Sequence, residues 1–340
     1  MEDKKINYIL IYPESHNHLG LFNDLIGVPN VELIVTRSKR VKNVFLNLVK
    51  KLHTSGTINR YVRLPLKRLW YNPINFNLDE KKEYCVIIVD AALKAFSVKE
   101  LNRVFSMQNV RGVLTLINSM DAGSVGISEI RSKIFQVKWD DVYSFDPVDV
   151  KKYGMKYLGC CYYSVRNPEK IETSYEKDSS VKKSDVYFIG GLKGGREALI
   201  LNTFKKMYSE NLALDFRLMI SGFQRFKDRE LEEKIIYYSG GWMPYEKTLA
   251  SVLKTNVILE ILQENQAGPS LRYYEAVCYN KKLLTNNPNI VNFPYYNEKY
   301  MKIFHTADDI DIAWIKKEEP VEYFYKGDFS PLNMLDVVLH

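Results

Sequence analysis

The chain has 340 residues, 46% of them hydrophobic, with 16 Phe, 24 Tyr and a formal net charge of +7 at pH 7. That length and apolar content suffice for a large core and favour two domains, and the aromatic richness excludes a disordered chain. No apolar run reaches the roughly 18 residues that a membrane span needs, and the N-terminal MEDKKINYILIY reads as a first strand without a leader cleavage site.

Asn7–Tyr12, Val31–Thr36, Tyr84–Val89 and Val110–Leu116 are short, continuously apolar runs, as expected of strands buried on both faces. Helical segments such as Ser97–Phe105 separate them, and Val142–Phe145 and Lys156–Tyr163 are predicted as further strands. This alternation predicts a parallel sheet covered by helices. Between Glu32 and Asp79 no acidic residue occurs, while Arg37, Lys39, Arg40, Lys42, Lys50, Lys51, Arg60, Arg63, Lys67 and Arg68 are all cationic. Val41, Val44, Phe45, Leu48, Val49 and Leu52 recur there at helical spacing, which predicts an amphipathic basic helix. Segment 37–70 suits the inner surface of an anionic membrane or a solvated helix face; no nucleic-acid recognition motif accompanies it.

The polar stretch from Ser164 to Ser184 reads as a linker, and a second α/β block follows. Its strands are expected at Asp185–Ile189, Asp215–Ser221, Ile235–Tyr238, Asn256–Ile261 and Lys282–Thr285, with helices at Glu197–Ser209 and Tyr245–Lys254. The expected domains are 1–164, with 165–184 as linker, 185–320, and a tail 321–340 that packs back on the first domain. Cys85, Cys160, Cys161 and Cys278 show no metal or redox spacing and are expected to be reduced thiols of a cytoplasmic protein.

The most informative segment is 262–287, LQENQAGPSLRYYEAVCYNKKLLTNN. Gly268, Pro269 and Ser270 mark a helix start, with Gly268 or Ser270 as cap. Unpaired N–H groups and the positive dipole end at such a terminus favour an anion. Arg272 adds a planar donor suited to phosphate, and Glu275, on the same face, suits ribose hydroxyls. Leu271 lies between cap and arginine.

GPSLRYYEA followed by KKLLTNN resembles the nucleotide-sugar signature of GT-B glycosyltransferases, nearest to those of bacterial capsule, exopolysaccharide and lipopolysaccharide biosynthesis. The resemblance implies an α/β fold of two Rossmann-like domains facing across a cleft (GT-B). It places donor phosphates beside Gly191, Lys193 and Arg196 of the Gly190–Arg196 loop. It places the base beside Trp242 and Met243, and the sugar beside Gln266. Many retaining members carry a first Glu eight residues before the second; Ala267 stands there, so inverting and retaining chemistry both stay open. Without an assigned metal, phosphate charge is left to Arg272, Lys193, Arg196 and helix N–H groups.

A base must take the acceptor proton in an inverting transfer, and Glu14, His16 and His18 follow the first strand. His18 and Glu14 are the catalytic candidates. His16, Asp90 and Asn118 are the acceptor-binding candidates, by their position at strand ends. The spacing of Asp309–Asp311 resembles a metal-chelating DxD, but it falls inside what reads as a helix with no strand before it, and Asp140–Asp141 fail on spacing. No metal and no cofactor are therefore expected. The substrates expected are a UDP-sugar and a lipid-linked or oligosaccharide acceptor. Two alternatives stay open: a non-hydrolysing nucleotide-sugar epimerase and a non-catalytic two-domain sugar-binding protein.

Overall fold

The computed structural model describes residues 6–54, 66–121, 127–160, 162–192, 195–220, 234–239 and 243–339. The chain forms two compact α/β units, Met1–Ser164 with Phe329–His340, and Val165–Asp328. Each holds one parallel, six-stranded, Rossmann-like sheet.

In the first unit the strands are β1 (Asn7–Pro13), β2 (Val31–Thr36), β3 (Tyr84–Val89), β4 (Val110–Leu116), β5 (Asp141–Ser144) and β6 (Lys156–Tyr157). Their order is β2-β1-β3-β4-β5-β6, all parallel, so the order in which strands are added reverses between β1 and β3. Helices α1 (Glu14–Leu19), α2 (Val44–Thr54), α3 (Val98–Val104), α4 (Ile127–Gln136) and α5 (Pro147–Tyr153) belong to this unit. Ile9, Ile11, Val86, Ile88 and Leu114 on one sheet face pack with Leu93, Phe96, Leu101, Ile130 and Ile134. Strand alternation gives that face; a one-residue slip would turn the whole set to the opposite face of the sheet. The Lys156–Tyr163 strand expected from the sequence stops at Tyr157, because Gly159 turns the chain with φ +82. Only glycine holds that backbone cheaply.

The second unit contains α6 (Pro168–Tyr175), β7 (Ser184–Gly191), α7 (Glu197–Ser209), β8 (Leu214–Ile220), β9 (Ile236–Ser239), α8 (Tyr245–Lys254), β10 (Thr255–Glu260), α9 (Leu271–Cys278), β11 (Lys282–Thr285), β12 (Met301–Ile303) and α10 (Ile312–Lys316). The strand order β12-β11-β10-β7-β8-β9 is the doubly wound dinucleotide-type order, with its reversal between β7 and β10. Val186, Phe188, Phe216, Leu218, Val257 and Leu259 form one buried face with Ile200 and Phe204 of α7.

The segment 165–184, expected as a linker, is folded and counts with this second unit. Asn167 caps α6 by accepting from Lys170 N–H, Pro168 presets its first turn, and Ile171 and Val181 are buried. Those two apolar anchors outweigh the polar composition around them. At the other end of the chain, α11 (Pro331–Val337) belongs to the first unit. Ser330 Oγ donates to Asp24 Oδ2 at 2.6 Å, and Tyr163 N–H donates to Phe329 O at 2.7 Å.

Candidate functional site

In a doubly wound sheet, ligands bind beyond the C-terminal strand ends where the strand order reverses. In the second unit that point lies between the end of β7, Gly190–Gly191, and the end of β10, Glu260. Arg196 straps the two together: Nε donates to Gly191 O at 3.1 Å and Nη1 to Ile261 O. Burial lowers the Arg196 guanidinium to about 10, which leaves it cationic at neutral pH. A Cβ at Gly190 would stand 2.8 Å from the Phe188 ring and 3.1 Å from Arg196 Nη2, so this approach requires glycine. At Gly195, with φ +76, a Cβ would lie 2.1 Å from the Glu264 carboxylate.

Ser270 is the residue that caps α9. Its Oγ accepts from Arg272 N–H at 3.2 Å and donates to Glu260 Oε1 at 2.5 Å. Ser270 N–H also donates to Glu260 Oε1, at 3.2 Å, and Thr285 Oγ1 donates to Glu260 Oε2 at 2.5 Å. Asn287 Nδ2 donates to Ala267 O at 3.2 Å, and Leu262 N–H donates to Asn286 Oδ1 at 2.7 Å. The ends of β10 and β11 and the start of α9 are thus one polar network around a buried carboxylate. Sequence reasoning missed Glu260, Thr285, Asn286 and Asn287. The available signal was a glutamate closing the apolar run NVILE. Because Glu260 and Ser270 take up Ser270 N–H and Arg272 N–H, Leu271 N–H is the first-turn donor that they leave over.

Arg272 and Glu275 share the face of α9 that packs inward. Arg272 Nη2 donates to Glu275 Oε1 at 2.7 Å, and Tyr245 OH, from the first turn of α8, donates to the same oxygen at 2.9 Å. Glu275 is fully buried, and burial pushes its carboxyl up to about 7 against the opposing pull of Arg272. Its Oε2 is buried without a hydrogen-bond partner. Arg272 and Tyr245 thus occupy one carboxylate oxygen of Glu275 and leave the other over, a division the sequence could not show. Tyr187 of β7 lies close enough to feel the charge of both groups, and its own hydroxyl is buried without a partner.

Met243, expected beside a nucleotide base, is buried, and its sulfur accepts from Arg217 Nη1 at 3.2 Å. Arg217 has no exposed surface and is held bidentately by Asp215, at 2.7 and 2.6 Å. Gln266 is half-buried, with Nε2 donating to Gly268 O at 3.4 Å; Gly268 is buried and Leu271 half-buried. Lys193 and Trp242 lie outside the described residues.

In the first unit the strand order reverses between β1 and β3; of the expected acceptor residues His16 and Asp90 follow those strands and Asn118 follows β4. The stretch after β1 is the helix α1, which sorts its three polar candidates. Glu14 and His18 stand at i and i+4 on one face, half-buried and exposed, while His16 points the other way. His16 is 8% exposed, its Nδ1 has no partner, and burial lowers its pKa to about 4. It is a neutral imidazole at neutral pH. Asp90, buried at the end of β3, accepts from Ala91 N–H at 2.7 Å and from Asn118 Nδ2 at 2.9 Å. Burial raises its carboxyl to about 6, against the pull of those two donors. Asp90 and Asn118 are therefore one pair.

Asp309 and Asp311 are not in one helix, as the sequence suggested. Asp309 closes a short turn, accepting from His305 and Thr306 N–H, and Asp311 caps α10 by accepting from Trp314 N–H. Both carboxylates are used as local caps. Among the described residues no group of three or more His, Cys, Asp or Glu side chains is placed to hold a metal ion.

No family model matches the chain, and no curated protein matches it. Among solved structures the chain is similar to an alpha,alpha-trehalose-phosphate synthase (UDP-forming) from Burkholderia vietnamiensis, at 10% identity, TM-score 0.49, over 91% of this chain and 89% of that one. It is similar to an alpha-glucosyltransferase in complex with UDP-glucose and DNA containing an abasic site, at 10% identity, TM-score 0.45, over 98% and 90%. A glycosyltransferase from Rickettsia africae ESF-5 is a third, at 13% identity, TM-score 0.41, over 90% and 86%.

Proposed function

We propose that the chain is a glycosyltransferase that moves a hexose from a nucleoside diphosphate sugar, a UDP-sugar first, to a hydroxyl of a lipid-linked surface-polysaccharide acceptor. One observation carries the reading: the Ser270-capped start of α9, with Arg272 and Glu275 on it, stands at the strand ends beside the reversal of a doubly wound sheet. Leu271 N–H, the helix dipole and Arg272 suit the diphosphate. Glu275 Oε2, a buried acceptor without a partner, suits a ribose hydroxyl.

In the transfer, the bond from the anomeric carbon to the phosphate oxygen breaks and its electron pair leaves with the diphosphate. The acceptor oxygen bonds to the anomeric carbon and gives up its proton. Exposed His18 and half-buried Glu14 are the candidates to take that proton. Arg272, and Arg196 close by, oppose the charge that develops on the leaving group, which is the larger catalytic contribution in such a step.

Incubation of the protein with UDP-sugars, with and without a lipid-linked oligosaccharide, tests the reading by chromatography of the products. Acceptor-dependent UDP release with a lengthened glycan is expected. Isomerised sugar without acceptor would instead indicate an epimerase, and tight binding without turnover a sugar-binding protein.

A further inference from the structure

After β2 the chain leaves the first sheet at Arg37 and returns at Asn72. The two ends of this excursion are pinned to each other: Asn72 N–H donates to Arg37 O at 3.0 Å, Lys39 N–H donates to Trp70 O at 2.7 Å, and Ser38 pairs antiparallel with Tyr71. α2 is carried on this base. Lys50 Nζ donates to Lys39 O at 2.6 Å, and Trp70 Nε1–H donates to His53. Asn43 Oδ1 accepts from Leu46 N–H at 3.0 Å and starts the helix.

A helix attached to a folded domain ordinarily turns its apolar stripe to the core. α2 does the opposite: none of its residues is buried. Val44 is 86% exposed, Phe45 71%, Leu48 54% and Leu52 48%, and Leu66 and Leu69, near the adjoining 67–70 turn, are 62% and 56% exposed. Val44, Phe45, Leu48 and Leu52 fall on one helix face, so the stripe is continuous. Around it Arg37, Lys39, Arg40, Lys42, Lys51 and Arg68 are exposed, with no carboxylate anywhere from residue 33 to 78.

We propose that α2, with the exposed cations beside it, is an interfacial anchor that lies in the plane of an anionic lipid bilayer, its apolar stripe among the headgroups and acyl ends. Charge complementarity selects this occupant. A second copy of the chain would set one acid-free cationic surface against another. A nucleic acid would match the cations but has no apolar layer to receive Phe45, Leu48 and Leu52. A bilayer with anionic headgroups satisfies both halves of the surface at once, and two weak signals together give stable anchoring. Among the described residues no helix is long and apolar enough to cross a membrane. This inference stands apart from the transferase reading, and either can fail alone.

Cosedimentation of the whole chain with phosphatidylglycerol-containing vesicles and with pure phosphatidylcholine vesicles tests it. Binding to the anionic vesicles alone is expected, falling as salt rises. The double variant Phe45→Asp/Leu48→Asp should lower that binding by about tenfold or more, and Lys42→Glu/Lys51→Glu, at two exposed cations, should lower it and flatten the salt dependence. Since α2 contributes nothing to a core, both variants should keep the wild-type circular dichroism and melting temperature. Equal binding to neutral vesicles, wild-type binding by the Phe45/Leu48 variant, or no vesicle binding at all would overturn the proposal. So would self-association without vesicles that the Phe45/Leu48 variant abolishes, because it would assign the stripe to a second copy.

Discussion

Arg272→Ala is expected to weaken UDP binding about 100-fold, roughly 2.8 kcal/mol, while leaving the protein folded. The loss follows from geometry: the guanidinium stands in the first turn of α9, where the dipole and Leu271 N–H already favour an anion. Hydrogen bonds from a charged donor to phosphate are the strong ones, and no neighbouring side chain in that turn replaces them. The variant should tolerate the change. Arg272 holds Glu275 against burial, and without it the Glu275 carboxyl rises further and stays protonated, so no buried charge is stranded. Arg272→Lys should recover only part of the affinity, because an ammonium cannot hold phosphate and Glu275 in one plane. Titration calorimetry with UDP, alongside thermal melting, checks both statements. Wild-type affinity in a folded Arg272→Ala protein would remove the phosphate role.

The second large effect is expected at Glu260, which the sequence pattern left unremarked. Glu260→Ala should destabilise the second unit by about 3 kcal/mol, read as a lower midpoint of urea unfolding. Its two oxygens take three hydrogen bonds, from Ser270 N–H, Ser270 Oγ–H and Thr285 Oγ–H. Removing the carboxylate orphans a backbone donor at the cap and a hydroxyl in the fully buried Thr285. Glu260→Gln keeps one acceptor oxygen and should cost about 1 kcal/mol. If the alanine variant unfolds at the wild-type urea concentration, the network does not tie β10, β11 and α9 together.

The strands were legible because both sheets are parallel and covered on both faces, so each strand is a continuous apolar run. Val31–Thr36, Tyr84–Val89, Val110–Leu116 and Lys282–Thr285 start and stop where composition alone puts them. The α2 stripe was legible from its helical spacing, although sequence periodicity cannot say that its apolar face looks outward. Residues 168–175 were misread because a surface helix needs few buried residues, and Ile171 and Val181 are isolated in a charged stretch. The cap at Ser270 and the pairing of Arg272 with Glu275 follow from local spacing. The partners from elsewhere in the chain do not: Tyr245 is 30 residues from Glu275, and Thr285 is 25 from Glu260. Tertiary pairing of this kind leaves no periodic trace, and the burial of Glu275 goes with it. On the other sheet, α1 separates His16 from Glu14 and His18 by helical rotation, a distinction that their shared position after the first strand does not show.

A crystal structure of the chain with bound UDP is the most direct measurement. The diphosphate oxygens should lie within hydrogen-bond distance of Leu271 N–H and the Arg272 guanidinium, with a ribose hydroxyl on Glu275 Oε2. UDP seated at other strand ends, with the Arg272–Glu275 pair undisturbed and no phosphate near α9, would contradict the donor site and the transferase reading built on it.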